Sequence, residues 1–89
     1  MPKVMFTQDL QRHLVDPRGS YAGTTVKEAL DSVFSSEKTL RGHVLDEQGR
    51  LRPQVVVFVD GQPLRDRAGL SDPVREQGEV WIMRTSPGD

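Results

Sequence analysis

The sequence predicts an α+β domain, a mixed sheet of four to five strands packed on one main helix, and three observations predict it. An amphipathic helix with its own N-terminal cap lies in the first half of the 89 residues. A run of β-formers, Val55-Val56-Val57-Phe58-Val59, passes straight into Asp60-Gly61 and then into a proline-bearing return segment. Two further β-rich stretches, Lys3 to Thr7 and Glu79 to Met83, lie towards the two ends. Only one helix of useful length is available to cover a sheet built from these strands.

Each element follows from its residues. Lys3-Val4-Met5-Phe6-Thr7 reads as a strand with Val4 and Phe6 on one face and Lys3, Met5 and Thr7 on the other. Asp16-Pro17-Arg18-Gly19 is a turn signal, and Ser20-Tyr21-Ala22 is read as a short second strand. Thr25-x-x-Glu28 is a capping box: the threonine hydroxyl can take the N–H three residues on, and the glutamate can reach back. Val26, Ala29, Leu30, Val33 and Phe34 then form one apolar stripe, with Lys27, Asp31 and Ser32 on the wet side. These residues predict a helix from Val26 to Ser36.

Leu40 and Val44, four apart, suggest a short helical turn within residues 39–52, and Asp46-Glu47-Gln48-Gly49 reads as a tight turn. The strand Val55 to Val59 is apolar at both parities, so both of its faces should be covered or engaged. Asp60-Gly61 suits a two-residue hairpin, whose central residues both take positive φ. The return strand Gln62-Pro63-Leu64-Arg65 carries a proline that cannot donate to a ladder, which places it at a sheet edge. Gly69-Leu70-Ser71-Asp72-Pro73-Val74 is a turn-rich connection to the last strand, Glu79-Val80-Trp81-Ile82-Met83. Residues 1–84 are expected to form one domain. Residues 85–89, which hold nothing to pack, are expected to be a flexible C-terminal tail.

Composition excludes several function classes. The apolar share of 35 % rises to roughly 44 % when glycine is counted, close to ordinary globular chains. With no cysteine, a disulfide framework, a thiolate zinc site and a thiol nucleophile are all excluded. Twelve Lys+Arg against thirteen Asp+Glu leave no basic excess for a phosphate backbone, so no nucleic-acid partner is expected. The arginines alternate with acids, as in Arg65-Asp66-Arg67 and Arg75-Glu76, and read as a solvated mixed-charge surface. The longest aliphatic/aromatic run, Val55 to Val59, is far short of the ~20 residues needed to span a bilayer. The first twenty residues lack the features of a signal peptide. The expected address is cytoplasmic, with no membrane partner.

Strand, second strand, capped helix, buried strand, Asp-Gly hairpin, proline-bearing edge strand and final strand follow the order of a ubiquitin-like β-grasp. The chain resembles the small sulfur-carrier and modifier proteins: the molybdopterin synthase small subunit, the thiamine sulfur carrier, and the small archaeal and ubiquitin-related modifiers. The resemblance covers essentially the whole chain. It rests on Thr24-Thr25-Val26-Lys27-Glu28-Ala29-Leu30, Leu45-Asp46-Glu47-Gln48-Gly49-Arg50-Leu51-Arg52, Val57-Phe58-Val59-Asp60-Gly61, Gly69-Leu70-Ser71-Asp72-Pro73-Val74 and Gly78-Glu79-Val80.

The resemblance implies a function carried by the last residue. Members end Gly-Gly, and a partner enzyme uses ATP to convert that terminal carboxylate into an acyl-adenylate. Sulfur transfer then gives a thiocarboxylate, or an amine gives an isopeptide link. The implied partners are an adenylating enzyme and a sulfur-accepting or modified protein; no cofactor is implied, and the chain itself is not an enzyme. The corresponding tail here is Pro87, Gly88 and Asp89, a departure from the family pattern. Pro87 fixes φ and adds ring bulk where a narrow channel favours glycine. Asp89 sets a charged side chain beside the carboxylate to be activated, and its removal would leave Pro-Gly, closer to the family pattern but still not Gly-Gly.

Strand parity points to a second feature. With Val4, Phe6, Val55, Val57, Val59, Val80 and Ile82 towards the helix, Met5, Val56, Phe58, Trp81 and Met83 face the other way. One helix covers one face, so these five are candidates for a partner-binding face. The alternative function is therefore a non-conjugating β-grasp module that binds partners through this open face. Catalytic and metal-ligating residues are not expected. His13 and His43 read as isolated surface histidines without ligand spacing, Asp46-Glu47 belong to a turn, and the glycines form no phosphate-binding loop.

Overall fold

A computed structural model describes residues 1–7, 10 and 19–84. Within these, β1 (Lys3–Phe6) is followed by α1 (Val26–Ser36), α2 (Lys38–Val44), β2 (Val55–Val59), β3 (Gln62–Pro63) and β4 (Glu79–Arg84). The strands form one mixed sheet in the order β1-β4-β2-β3. β1 runs parallel to β4, and β2 is antiparallel to both β4 and β3. A parallel pair cannot be closed by a hairpin and requires a crossover. Here both helices and the central hairpin lie between the two paired strands in sequence.

α1 has the predicted boundaries because its N-terminus is fully capped. Thr25 is the N-cap, with extended backbone, and its hydroxyl accepts the Glu28 N–H at 3.2 Å. The Glu28 carboxylate reaches back one residue further than a capping box requires, taking both the N–H and the hydroxyl of Thr24 at 2.9 Å. The other two free N–H groups of the first turn find partners far along the chain: Val26 donates to the Asp72 carbonyl and Lys27 to the Leu70 carbonyl. A helix leaves such donors without intrahelical partners; the connection before β4 satisfies them. Gly23 allows the preceding chain to approach this turn, since a Cβ there would lie 2.5 Å from the Ala29 backbone nitrogen.

The central hairpin has the geometry that its sequence requires. Asp60 and Gly61 have φ of 50° and 82°, and Val59 pairs with Gln62 on either side of the turn. Both central residues at positive φ match the right-handed strand twist. Pro63 lies on the edge strand opposite Phe58. The short helical turn expected in residues 39–52 is a seven-residue helix, α2, which buries Leu40 and Val44. The Ser20-Tyr21-Ala22 strand reduces to a single antiparallel bridge between Ser20 and Lys3. Apart from Gly19, the turn signal at 16–19 lies outside the described residues, as do the expected tail at 85–89 and His13.

The core lies between one sheet face and the helices. Val4 and Phe6 from β1, Val55 and Val57 from β2, and Val80 and Ile82 from β4 meet the whole stripe of α1 and Leu40 and Val44 of α2. Each of these six strand residues is at most 1 % exposed. Full burial of such a side chain stabilises by about 1.5–3 kcal/mol. The alternate residues of the same strands are thereby turned to the opposite face.

Candidate functional site

β4 is an interior strand, hydrogen-bonded on both sides, and it delivers the chain to the end of the sheet at Arg84. On one side Lys3 to Phe6 pair with Glu79 to Ile82. On the other, Val55 to Val59 pair with Arg84 to Val80. The root of the C-terminal segment is thus held by two ladders. Arg84 is also tied to α2, its Nη2 lying 3.3 Å from His43 Nδ1. His43 is therefore half-buried against β4 rather than an isolated surface residue. The candidate acyl-transfer residues Pro87, Gly88 and Asp89 lie outside the described residues.

The five candidate partner-binding residues share one face, as strand parity predicts. Phe58 pairs with Trp81, Val56 with Met83, and Met5 with Trp81 on the opposite side of β4. Val56, Phe58, Trp81 and Met83 are half-buried, leaving an apolar strip along β2 and β4. Met5 departs from the expectation of an exposed patch: it is buried, at 7 % exposure. β1 is not an open edge there. Val4 donates to the Gly19 carbonyl and Tyr21 to the Pro2 carbonyl, so chain lies along its outer side. The Trp81 indole N–H lies 3.4 Å from a Glu79 carboxylate oxygen, a long contact that leaves its polar edge near solvent.

The acids are structural. Asp46 accepts the N–H groups of Gln48 and Arg50 within its turn. Asp60 accepts the Glu79 N–H and the Arg75 guanidinium. Asp66 accepts the Ser71 hydroxyl and the Gly69 N–H, and Asp72 accepts the N–H groups of Arg65 and Asp66. The Arg50 N–H holds the Asp46 carboxyl below its ordinary value, the Glu79 N–H, then Arg75, does so for Asp60, and the Ser71 hydroxyl, then the Gly69 N–H, for Asp66. Carboxylates favoured in their charged form by backbone donors are turn builders, and none is raised towards neutrality as a general acid would be. Among the described residues no three His, Asp or Glu side chains gather in a metal-binding arrangement, and no helix is long and apolar enough to cross a membrane.

The architecture is shared with solved structures over almost its whole length. A chain of the Amycolatopsis orientalis BexX/CysO complex superposes with a TM-score of 0.86 at 22 % identity, with all of each chain covered. Mycobacterium tuberculosis CysO superposes at 0.84 with 18 % identity, covering 97 % of this chain and 100 % of that one. The small archaeal modifier protein 1 of Methanosarcina acetivorans superposes at 0.81 with 20 % identity, covering 98 % and 94 %.

The fold is a ubiquitin-like β-grasp. No protein-family profile matches the chain, and no curated protein matches its sequence. At these identities the likeness is one of fold. In this β-grasp the interior strand is the one that leads into the C-terminal segment. Its two flanks are the Trp81 strip on the open sheet face and the Arg84–His43 contact on the helix side.

Proposed function

We propose that this β-grasp chain is a ubiquitin-like sulfur carrier or protein modifier whose C-terminal carboxylate is adenylated by a partner enzyme. The observation that carries the proposal is the whole-length structural likeness to CysO and to a small archaeal modifier protein, reached by a chain with no catalytic constellation among its described residues. CysO occurs in a complex with BexX, which supports a protein partner for a carrier of this shape.

The chemistry asks little of the domain itself. A terminal carboxylate oxygen attacks the α-phosphorus of ATP and displaces pyrophosphate, which leaves AMP as the acyl leaving group. Hydrosulfide or an amine then displaces AMP, giving a thiocarboxylate or an isopeptide. The domain supplies a rigid root and a surface for the partner. From Arg84 to Asp89 five residues reach at most about 17 Å, so an enzyme acting at the tail also touches the domain. Removal of Asp89 would expose Gly88 as the acyl donor, with Pro87 behind it. A cytoplasmic setting, where ATP is supplied, fits this role.

A second reading rests on a specific observation. The paired half-buried residues Phe58–Trp81 and Val56–Met83, with Met5 buried beside them, make a face suited to a protein partner whether or not the tail is activated. A non-conjugating module would use this face alone. The test is incubation of the chain, and of a form ending at Gly88, with ATP and the adenylating enzyme of its own organism. The carrier reading expects an AMP adduct by intact mass on at least one form. Partner binding with no adduct on either form would favour the module.

A further inference from the structure

The tip of the central hairpin carries a reactive dipeptide. Of the eight aspartates in the chain, only Asp60 is followed by glycine. An aspartyl carboxyl can be attacked by the backbone nitrogen of the next residue, and glycine, lacking a side chain, hinders that approach least. Here the nitrogen is open. Gly61 is exposed, and a Cβ built on it would meet nothing within 4 Å. Its N–H has no hydrogen-bond partner among the described residues.

The carboxyl, by contrast, is fenced. One oxygen accepts the Glu79 N–H at 2.9 Å, and the other accepts from Arg75 Nε at 3.1 Å. The turn that joins these two donors is closed by the Gly78 N–H on the Arg75 carbonyl. Gly78 lies so near that a Cβ there would be 3.2 and 3.3 Å from the two carboxylate oxygens. The Asp60 side chain keeps only 29 % of its exposure at a hairpin tip. A donor on each oxygen also favours the charged form; the Glu79 N–H first, then Arg75, holds the carboxyl below its ordinary pKa. An ionised carboxylate is a poor electrophile, because attack must expel one of its oxygens. The protonated form can lose that oxygen as water.

We propose that Asp60 is a site of isoaspartate formation, held in check by the clasp of Arg75 and Glu79 on its carboxyl. The step balances without an oxidant or a co-reactant. The Gly61 nitrogen forms a bond to Asp60 Cγ, the Cγ–OH bond breaks, and the hydroxyl leaves with the nitrogen's proton as water. Water then adds to one of the two carbonyls of the resulting five-membered imide. Opening at Cγ restores aspartate. Opening at the main-chain carbonyl routes the chain through Cβ and Cγ and leaves the carboxylate on Cα. The product has one more carbon in the backbone of a two-residue turn whose residues both hold positive φ. Its carboxylate is displaced from the Glu79 N–H, which frees the hairpin tip from the first residue of β4. The inference is independent of the carrier reading.

The test is prolonged incubation of the full chain at neutral pH. Isomers of the tryptic peptide 51–65 are then separated by chromatography, and isoaspartate is identified by methyl transfer from S-adenosylmethionine with an isoaspartate methyltransferase. The folded chain should form isoaspartate at residue 60 more slowly than the same chain unfolded in urea. Arg75→Ala should speed the folded chain by about two- to fivefold, the leverage of an exposed ion pair on its carboxylate. Thr25→Ala, which weakens the α1 cap instead, should leave the rate as in wild type. Equal rates in wild type and Arg75→Ala would overturn the proposal, as would an equal acceleration in Thr25→Ala, which would assign the protection to global stability. So would a folded chain that isomerises as fast as the unfolded one, or an unfolded chain that forms no isoaspartate at residue 60.

Discussion

Asp60 and Glu79 hold each other twice: the Asp60 N–H donates to the Glu79 carbonyl at 2.9 Å, and the Glu79 N–H donates to the Asp60 carboxylate at 2.9 Å. Arg75 closes the arrangement from the other carboxylate oxygen at 3.1 Å. The tip of the central hairpin is thereby fastened to the first residue of the strand that leads into the tail.

Asp60→Ala should lower the thermal midpoint more than Asp60→Asn. Alanine loses the acceptor and is strained at a φ of 50°, whereas asparagine tolerates that region and keeps one acceptor oxygen. Thermal unfolding of the two variants checks the order. Equal midpoints would mean that neither the backbone conformation nor the acceptor matters.

Stability should fall in acid. Asp60, Asp46, Asp66 and Glu28 all have carboxyl pKa values below the ordinary ones, held there first by backbone N–H donors or, for Asp66, by the Ser71 hydroxyl. A depressed folded value means that the unfolded chain binds protons first. The stabilisation is complete above the unfolded values near pH 4 and is lost as pH drops through the folded ones. Denaturant midpoints should therefore be flat from neutrality to about pH 5 and decline below it. A midpoint that rises on acidification would contradict the assignment.

The N-terminus of α1 offers a graded pair. Thr25→Ala removes the acceptor for the Glu28 N–H and should cost about 1 kcal/mol. Gly23→Ala should cost more, because its Cβ would press on the Ala29 backbone rather than on a movable side chain. Urea titrations of both variants measure the order.

Adjacent residues of β4 should behave oppositely. Ile82 is fully buried, and Ile82→Ala should destabilise by about 2–5 kcal/mol. Trp81 is half-buried on the other face. Trp81→Ala should leave a cooperatively folding domain and weaken partner binding, measured by calorimetry against the adenylating enzyme. Loss of the fold would assign Trp81 to the core.

What was legible in the sequence is what neighbouring residues determine. Thr25 and Glu28 mark the helix start, Asp60-Gly61 marks the hairpin, and alternation separates Val80 and Ile82 from Trp81 and Met83. The burial of Met5 was not legible, because alternation along β1 places it on the face turned away from the helices. Nor was the capping of Val26 and Lys27 by carbonyls more than forty residues away. The Arg84–His43 contact was hidden for the same reason: it forms only once α2 and β4 are packed together.

The carrier reading stands or falls on the C-terminal carboxylate, and intact-mass spectrometry of the protein isolated from its native cells tests it most directly. The predicted result is a species, full-length or ending at Gly88, whose terminal carboxylate has one oxygen replaced by sulfur, or one joined through that carboxylate to an amine of another protein. A population whose terminal carboxylate is unmodified under every growth condition would contradict it.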